Sequence, residues 1–345
     1  MKLGWKGWAG FAISALLIWW TLKDVPVGEV IGYAAGANWW LLAAAIAAAT
    51  FGFVVRALRW RVLLHPVDPD TPLRSRFGAV SIGFMANNLL PARVGEFARA
   101  YAMGRFERSV PVPAAFGSLV VERLLDALML TGFLVGAVLS PGFPDVELGA
   151  GFMLLVRSGL TGVAAIGAAV LLLLLVPGPA VRLIEACARW LPDRLERLVV
   201  DSVEAFLESL GVVRSPGLLL RAMAWTVVVW LWNAFSVWLG MMAFGIETGL
   251  VSALFAQAVI AFGAAIPAAP GFFGTFHAAA IFALATVYGV DVVQTTAFAY
   301  TFHLGGFFPV TFIGLWYARS LGLSLADVGG SEERVESEIE DAGDA

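Results

Sequence analysis

Two stretches of this chain run without a charged side chain for longer than a single bilayer crossing requires. Ala222 to Ile246 is 25 residues, and Thr248 to Val290 is 43. About 20 apolar residues span the hydrocarbon of a membrane, and in lipid every backbone polar group of such a run must be satisfied internally. Hydrophobic residues make up 60% of the chain and charged ones 14%, with a mean hydropathy of +0.84. That excludes a soluble domain. The chain is read as an all-α polytopic membrane protein.

The net charge of −4 is unevenly spread. Asp327, Glu332, Glu333, Glu336, Glu338, Glu340, Asp341 and Asp344 crowd the last twenty residues against one base, Arg334. Having no apolar periodicity, residues 321–345 are expected to form a disordered acidic cytoplasmic tail. The one cysteine, Cys187, excludes an internal disulfide. His65, His277 and His303 lack ligand spacing, so no metal or other cofactor is expected, and nothing points to nucleic acid. The run from Lys2 and Lys6 to Trp20 resembles a signal anchor without a cleavage site, expected to stay as a span.

Bases gather on the cytoplasmic side of short loops. They cluster at Lys2/Lys6, at Arg56, Arg59, Arg61, Arg74 and Arg76, at Arg105/Arg108, between Arg182 and Arg214, and at Arg319. Acid-leaning loops alternate with them, at Asp24/Glu29, Asp145/Glu147, Glu247 and Asp291. The alternation predicts six full spans, near residues 5–22, 39–60, 112–139, 150–176, 217–243 and 293–318. They form one transmembrane domain, 1–320, in the cytoplasmic (inner) membrane with both termini cytoplasmic. Residues 177–216 are amphipathic and predict a cytoplasmic surface connector. Trp19, Trp20, Trp39, Trp40, Trp60 and Trp316 suit interface anchoring; Trp225, Trp230, Trp232 and Trp238 suit packing.

Two apolar segments are interrupted by one spelling, Pro-x-x-x-Gly-x-Phe, at Pro91–Phe97 and Pro270–Phe276. Residues 78–104 have basic loops at both ends and 250–289 acidic ones, so each is expected to enter and leave on one side. They predict two re-entrant half-helix hairpins from opposite faces, although 40 residues also suffice for two spans in the second. Units 39–140 and 217–319, offset by 179 residues at the motif, then form an inverted repeat. A matched pair of Pro/Gly-broken segments points to a transport site.

The chemistry-bearing charges follow the first break. Arg93, Glu96 and Arg99 are spaced to pair along a helical face, Asn87 and Asn88 precede the turn, and Glu122, Arg123 and Asp126 lie ten residues into the next span. Each charge at that depth costs at least about 2.5 kcal/mol, so such groups pair and face protein or water. Either they pin hairpin to span, or they line a cavity where Arg93, Arg99 and Arg123 receive an anionic group. The second tip offers backbone: Pro270, Gly271, Gly274 and Thr275 would aim N–H groups at a ligand. His277 and His303 are proton-relay candidates.

Asn88-Leu89-Leu90-Pro91-Ala92-Arg93-Val94-Gly95-Glu96 and Glu122-Arg123-Leu124-Leu125-Asp126 resemble the N-x-x-P-x-R-x-G-E and E-R-x-x-D signatures of the flippase-like, lysylphosphatidylglycerol-synthetase transmembrane-region family. Pro270–His277 is similar to its P-G-G-x-G-x-x-E signature, with Phe272 replacing a glycine and His277 an acid. The resemblance covers roughly residues 5–320. It implies translocation of membrane lipids, either phospholipid or polyprenyl-linked, without the synthase chemistry of the members that carry a soluble domain. A secondary transporter of a soluble organic anion, a membrane-embedded lipid-phosphate enzyme and a non-catalytic partner of an envelope-biosynthesis glycosyltransferase are the alternatives.

Overall fold

The computed structural model describes residues 5–145, 161, 215–266 and 269–343. Apart from residue 161, the expected span at 150–176 lies outside them, as do all but the last two residues of the 177–216 connector. The described residues are all-helical: α1 (Trp5–Leu22), α2 (Val27–Gly36), α3 (Trp39–Leu64), α4 (Leu73–Leu89), α5 (Gly95–Phe106), α6 (Val112–Val138), α7 (Pro216–Ala243), α8 (Gly249–Ala265), α9 (Thr275–Ile281), α10 (Val292–Ser320), α11 (Leu325–Gly329) and α12 (Ser331–Gly343). Single 3-10 turns at Pro91–Arg93 and Pro270–Phe272 precede α5 and α9, and a π-helical turn, Phe282–Val287, extends α9.

Four helical runs have the length and apolarity to cross a membrane: α3, α7, α10 and the run Pro270–Val287. Phe11–Leu22 with Val27–Gly36 makes a fifth, bent by 82°. Pro26 stands at that bend, where it cannot continue the hydrogen-bond ladder of α1. The sequence expectation had a loop here. α6 has 27 residues, about 40 Å at 1.5 Å per residue, with Glu122 and Asp126 buried in protein.

Helix ends follow local chemistry. The Asn38 side chain caps α3 by accepting from Leu41 N, and Asp291 caps α10 by accepting from Gln294 N. α7 starts on Pro216, where a missing N–H is harmless.

The helices bring their ends together at two poles. At one pole the C-terminus of α3, the N-terminus of α4 and the C-terminus of α5 share a core with the starts of α6 and α7 and the end of α10. Ser75 Oγ donates to Glu107 Oε1 at 2.5 Å, joining the open ends of α4 and α5. Ser109 Oγ donates to Asp68, and together with the Asp70 N–H lowers that carboxyl's pKa. At the other pole Asn38 N donates to Ala243 O, Gln294 Nε2 to Phe244 O, and Phe143 beyond α6 stacks edge-on against Phe255 and Tyr288. α4 and α5 therefore open toward the first pole, α8 and α9 toward the second.

Neighbouring helices touch where glycine admits them. A Cβ on Gly83 would meet Gly95 O at 2.7 Å, and one on Gly263 would meet Ala279 Cβ at 2.8 Å and Thr275 O at 3.2 Å. Each lets a first arm lie directly on its second.

Over its described residues the acidic tail is helical. α12 packs on α5 and α6, and α11 on α12, with Val328, Val335 and Ile339 buried. Arg334 donates to Tyr101 OH at 2.5 Å and pairs with Asp327 at 2.7 Å. Hydrogen bonds from Ser324, then from Arg334, pull the Asp327 carboxyl down to about 2. The apolar residues at 328, 335 and 339 were too few for a periodicity reading, yet all three enter one core.

Candidate functional site

The two broken turns meet. Arg93 Nη1 donates to Ala264 O, in the last turn of α8, at 2.8 Å, and its guanidinium lies 5.6 Å from the Phe272 ring centroid. Arg93 and Phe272 occupy the same position in the shared motif, two residues after proline. Both hold positive φ, 56° and 60°, a backbone state that L-residues seldom adopt and that concentrates at functional turns.

Beside this junction lies a cavity of about 230 Å³. Its wall includes Arg56, Arg93, Glu96, Arg99, Arg123 and Gln257. That is smaller than the roughly 300–1,000 Å³ of pockets that engulf a whole small molecule, so it suits a polar head group.

Behind the wall stands a buried ion network. Arg99 grips Glu122 with both terminal nitrogens, at 2.7 and 3.1 Å, and stacks 3.9 Å from the Trp60 ring centroid. Arg123 reaches Glu122 at 2.7 Å and Asp126 at 3.4 Å. Arg59 bonds Asp126 and lies 3.1 Å from Glu122; Trp230 Nε1 donates to Asp126 at 2.8 Å. Arg59 and Glu122 are wholly buried, whereas the Arg123 side chain is 42% exposed. Two carboxylates on α6 thus gather arginines from α3, α5 and α6, fixing three helices to one another.

Several expectations change in this light. Arg56, Arg59 and Arg76 had been counted as loop charges; all three are buried, and Arg76 donates to Ala57 O at 2.6 Å. Trp60, read as an interface anchor, is buried and donates to Ser118 at 2.9 Å. The face expected to run Arg93–Glu96–Arg99 does not form, because α5 begins only at Gly95 and Arg99 turns to Glu122. Among the described residues Glu96 has no ion-pair partner. Asn87 Oδ1 accepts from Gly95 N at 2.9 Å, capping the new helix, and Asn88 turns away to Thr311 Oγ1 (2.8 Å) and Phe307 O on α10.

The second tip is also spoken for. Gly271 and Gly274 have φ of 72° and 90°. Gly274 N donates to His277 Nδ1 at 3.2 Å, and Thr275 Oγ1 to Phe272 O at 3.1 Å. Of the N–H groups expected to face a ligand, that of Gly274 is therefore taken up by His277. Because Nδ1 of His277 accepts, its proton sits on Nε2 and is directed at His303 Nδ1, 3.2 Å away. His303 in turn bonds the Gly271 backbone. The chain of neutral imidazoles runs from one backbone group of the turn to another. Tyr300 stacks on His277 at 3.7 Å and shares a hydrogen bond with Thr21 of α1.

The sequence matches, over residues 7–314, the family described as the lysylphosphatidylglycerol synthase transmembrane region. The chain belongs to that family. One curated relative, the glycosyltransferase AglD of Haloferax volcanii, is 30% identical over 142 residues, which is 40% of this chain and 23% of the relative. The chain thus matches less than a quarter of that protein. No solved structure matches. The chain is thus a multi-pass membrane protein of that family's membrane region, with arginines buried and paired between its helices.

Proposed function

We propose that the chain moves the anionic or lipid-linked head group of a membrane lipid across the cytoplasmic membrane through the cavity at the junction of the two broken turns, while the tails stay in the bilayer. The observation that carries this reading is the cationic cavity at the place where the motifs of the two halves touch. Family membership supports it, since the matched region is a membrane domain named for a lipid.

The same reading takes units 39–140 and 217–319 as an inverted repeat within one transmembrane domain, 1–320, of six full spans and two re-entrant hairpins. Corresponding elements support it. α4 and α8 each have 17 residues, and the glycine at 83 answers the one at 263. The α4–α5 and α8–α9 pairs open toward opposite poles. Alternation of access then comes from one unit rocking against the other. Both termini are taken as cytoplasmic, on the side of the basic pole.

Proteoliposome translocation of fluorescent or dithionite-accessible lipid tests the proposal. Arg93→Ala is expected to lower the rate at least ~10-fold, the loss of one charge-assisted contact, with folding retained because Arg93 holds no carboxylate. Wild-type protein that moves no lipid in vesicles of native extract would end the reading. A second role, membrane partner of an envelope glycosyltransferase, draws on AglD's name alone; stoichiometric co-purification with such an enzyme tests it.

A further inference from the structure

Arg56 is a cavity cation that no carboxylate holds. Its guanidinium lies between the rings of Phe84 and Trp230, 5.4 and 5.1 Å from their centroids. The residue is 8% exposed, and it lines the cavity. Among the described residues no Asp or Glu stands within ion-pair distance of it. Among the described residues Arg93 is alike in this, held by the Ala264 carbonyl and the Phe272 face. Arg59, Arg99 and Arg123 are taken up by Glu122 and Asp126.

Charge around the cavity is consequently out of balance. Among the described residues five arginines (56, 59, 93, 99 and 123) face three carboxylates (96, 122 and 126), an excess of two positive charges. Buried charge without a partner is unfavourable. Arginine cannot relieve it by giving up a proton. The aromatic rings orient Arg56 without neutralising it.

We propose that the cavity is built for a doubly charged phosphate, a phosphomonoester or diphosphate, with Arg56 and Arg93 as its ligands, and that it discriminates against phosphodiester and aminoacylated head groups. A monoester offers three terminal oxygens to two planar forks, whereas a diester offers two oxygens and one charge. An aminoacyl head group brings an ammonium into a site already in positive excess. The inference rests on the transport reading and narrows its substrate.

The test uses the full chain in phosphatidylcholine nanodiscs at pH 8, doped equally with phosphatidic acid, phosphatidylglycerol or lysyl-phosphatidylglycerol. Retained lipid is counted by native mass spectrometry, and inorganic pyrophosphate serves as the water-soluble probe. Phosphatidic acid is expected to be retained ~10-fold over phosphatidylglycerol and more over the lysyl form. Arg56→Gln should bring the first ratio to about parity, and Arg56→Lys should keep part of it. Arg93→Gln supplies the same readout should Arg56→Gln fail to fold. Equal retention of the three lipids, or indifference of phosphatidic acid to Arg56→Gln, overturns the dianion inference and leaves lipid transport standing. Pyrophosphate binding that needs Arg56, with no lipid retained, supports the dianion and overturns lipid transport instead.

Discussion

Arg59 and Arg93 are both arginines of the site, yet their substitution should read out differently. Arg59 has no exposure and is shared between Asp126 and Glu122, with Thr226 Oγ1 at 3.4 Å. Arg59→Gln leaves two buried carboxylates short of a counter-ion, and breaking a buried pair from one side typically costs about 3–5 kcal/mol. We expect Arg59→Gln to lower unfolding free energy by that order in a detergent or urea titration, and Arg93→Ala to lower it by less than ~1 kcal/mol. Equal stability of the two variants would contradict the division between scaffold and cavity. Arg59 was hidden in the sequence because a loop-charge count treats every base near a span end alike. Arg56 and Arg59 lie one turn apart on a face that Arg61 does not share, and that spacing was the available signal.

At the scale of the element, the two turns were the most legible part of the chain. Proline and glycine at matched positions fix where backbone must break, and both 3-10 turns fall where the shared spelling puts them. What the spelling could not supply was who satisfies the freed groups, since that depends on partners distant in sequence such as Phe307 for Asn88, or on a side-chain rotamer such as that of His277. The capping role of His277 explains how a histidine stands where the resembled family's signature has an acid: either side chain can accept the N–H that opens the helix. His277→Ala is expected to leave Gly274 N without its acceptor and His303 Nδ1 without its donor, at about 1–3 kcal/mol for each unsatisfied group. His277→Glu should recover part of that loss by accepting from Gly274, with His303 protonated as its counter-ion. Thermal unfolding of the three proteins decides it; a proton relay predicts near-normal stability for His277→Ala with transport lost.

For the whole molecule, orientation is the property on which transport by an inverted repeat depends. The alternation of basic and acidic loops is a reading of the sequence, and three of its bases, Arg56, Arg59 and Arg76, turn out to be buried within helices. The count of crossings was not legible, because apolar length alone does not separate a crossing from a half-helix. α4 and α8 are each 17 residues, about 26 Å, short of a typical hydrocarbon thickness of ~30 Å. Ser109 lies in the loop between α5 and α6 at the basic pole, bonded to Asp68, and Asp291 opens α10 at the other. In a Cys187→Ser background, Ser109→Cys and Asp291→Cys should react with a membrane-impermeant maleimide from opposite sides: the first only in inverted vesicles, the second in intact cells. If α4 and α5 were a crossing and a return of different depth, with α8 and α9 oriented alike, both positions would label from one side. That outcome would remove the opposed hairpins, and with them the reason for two broken turns to meet at a cavity inside the membrane.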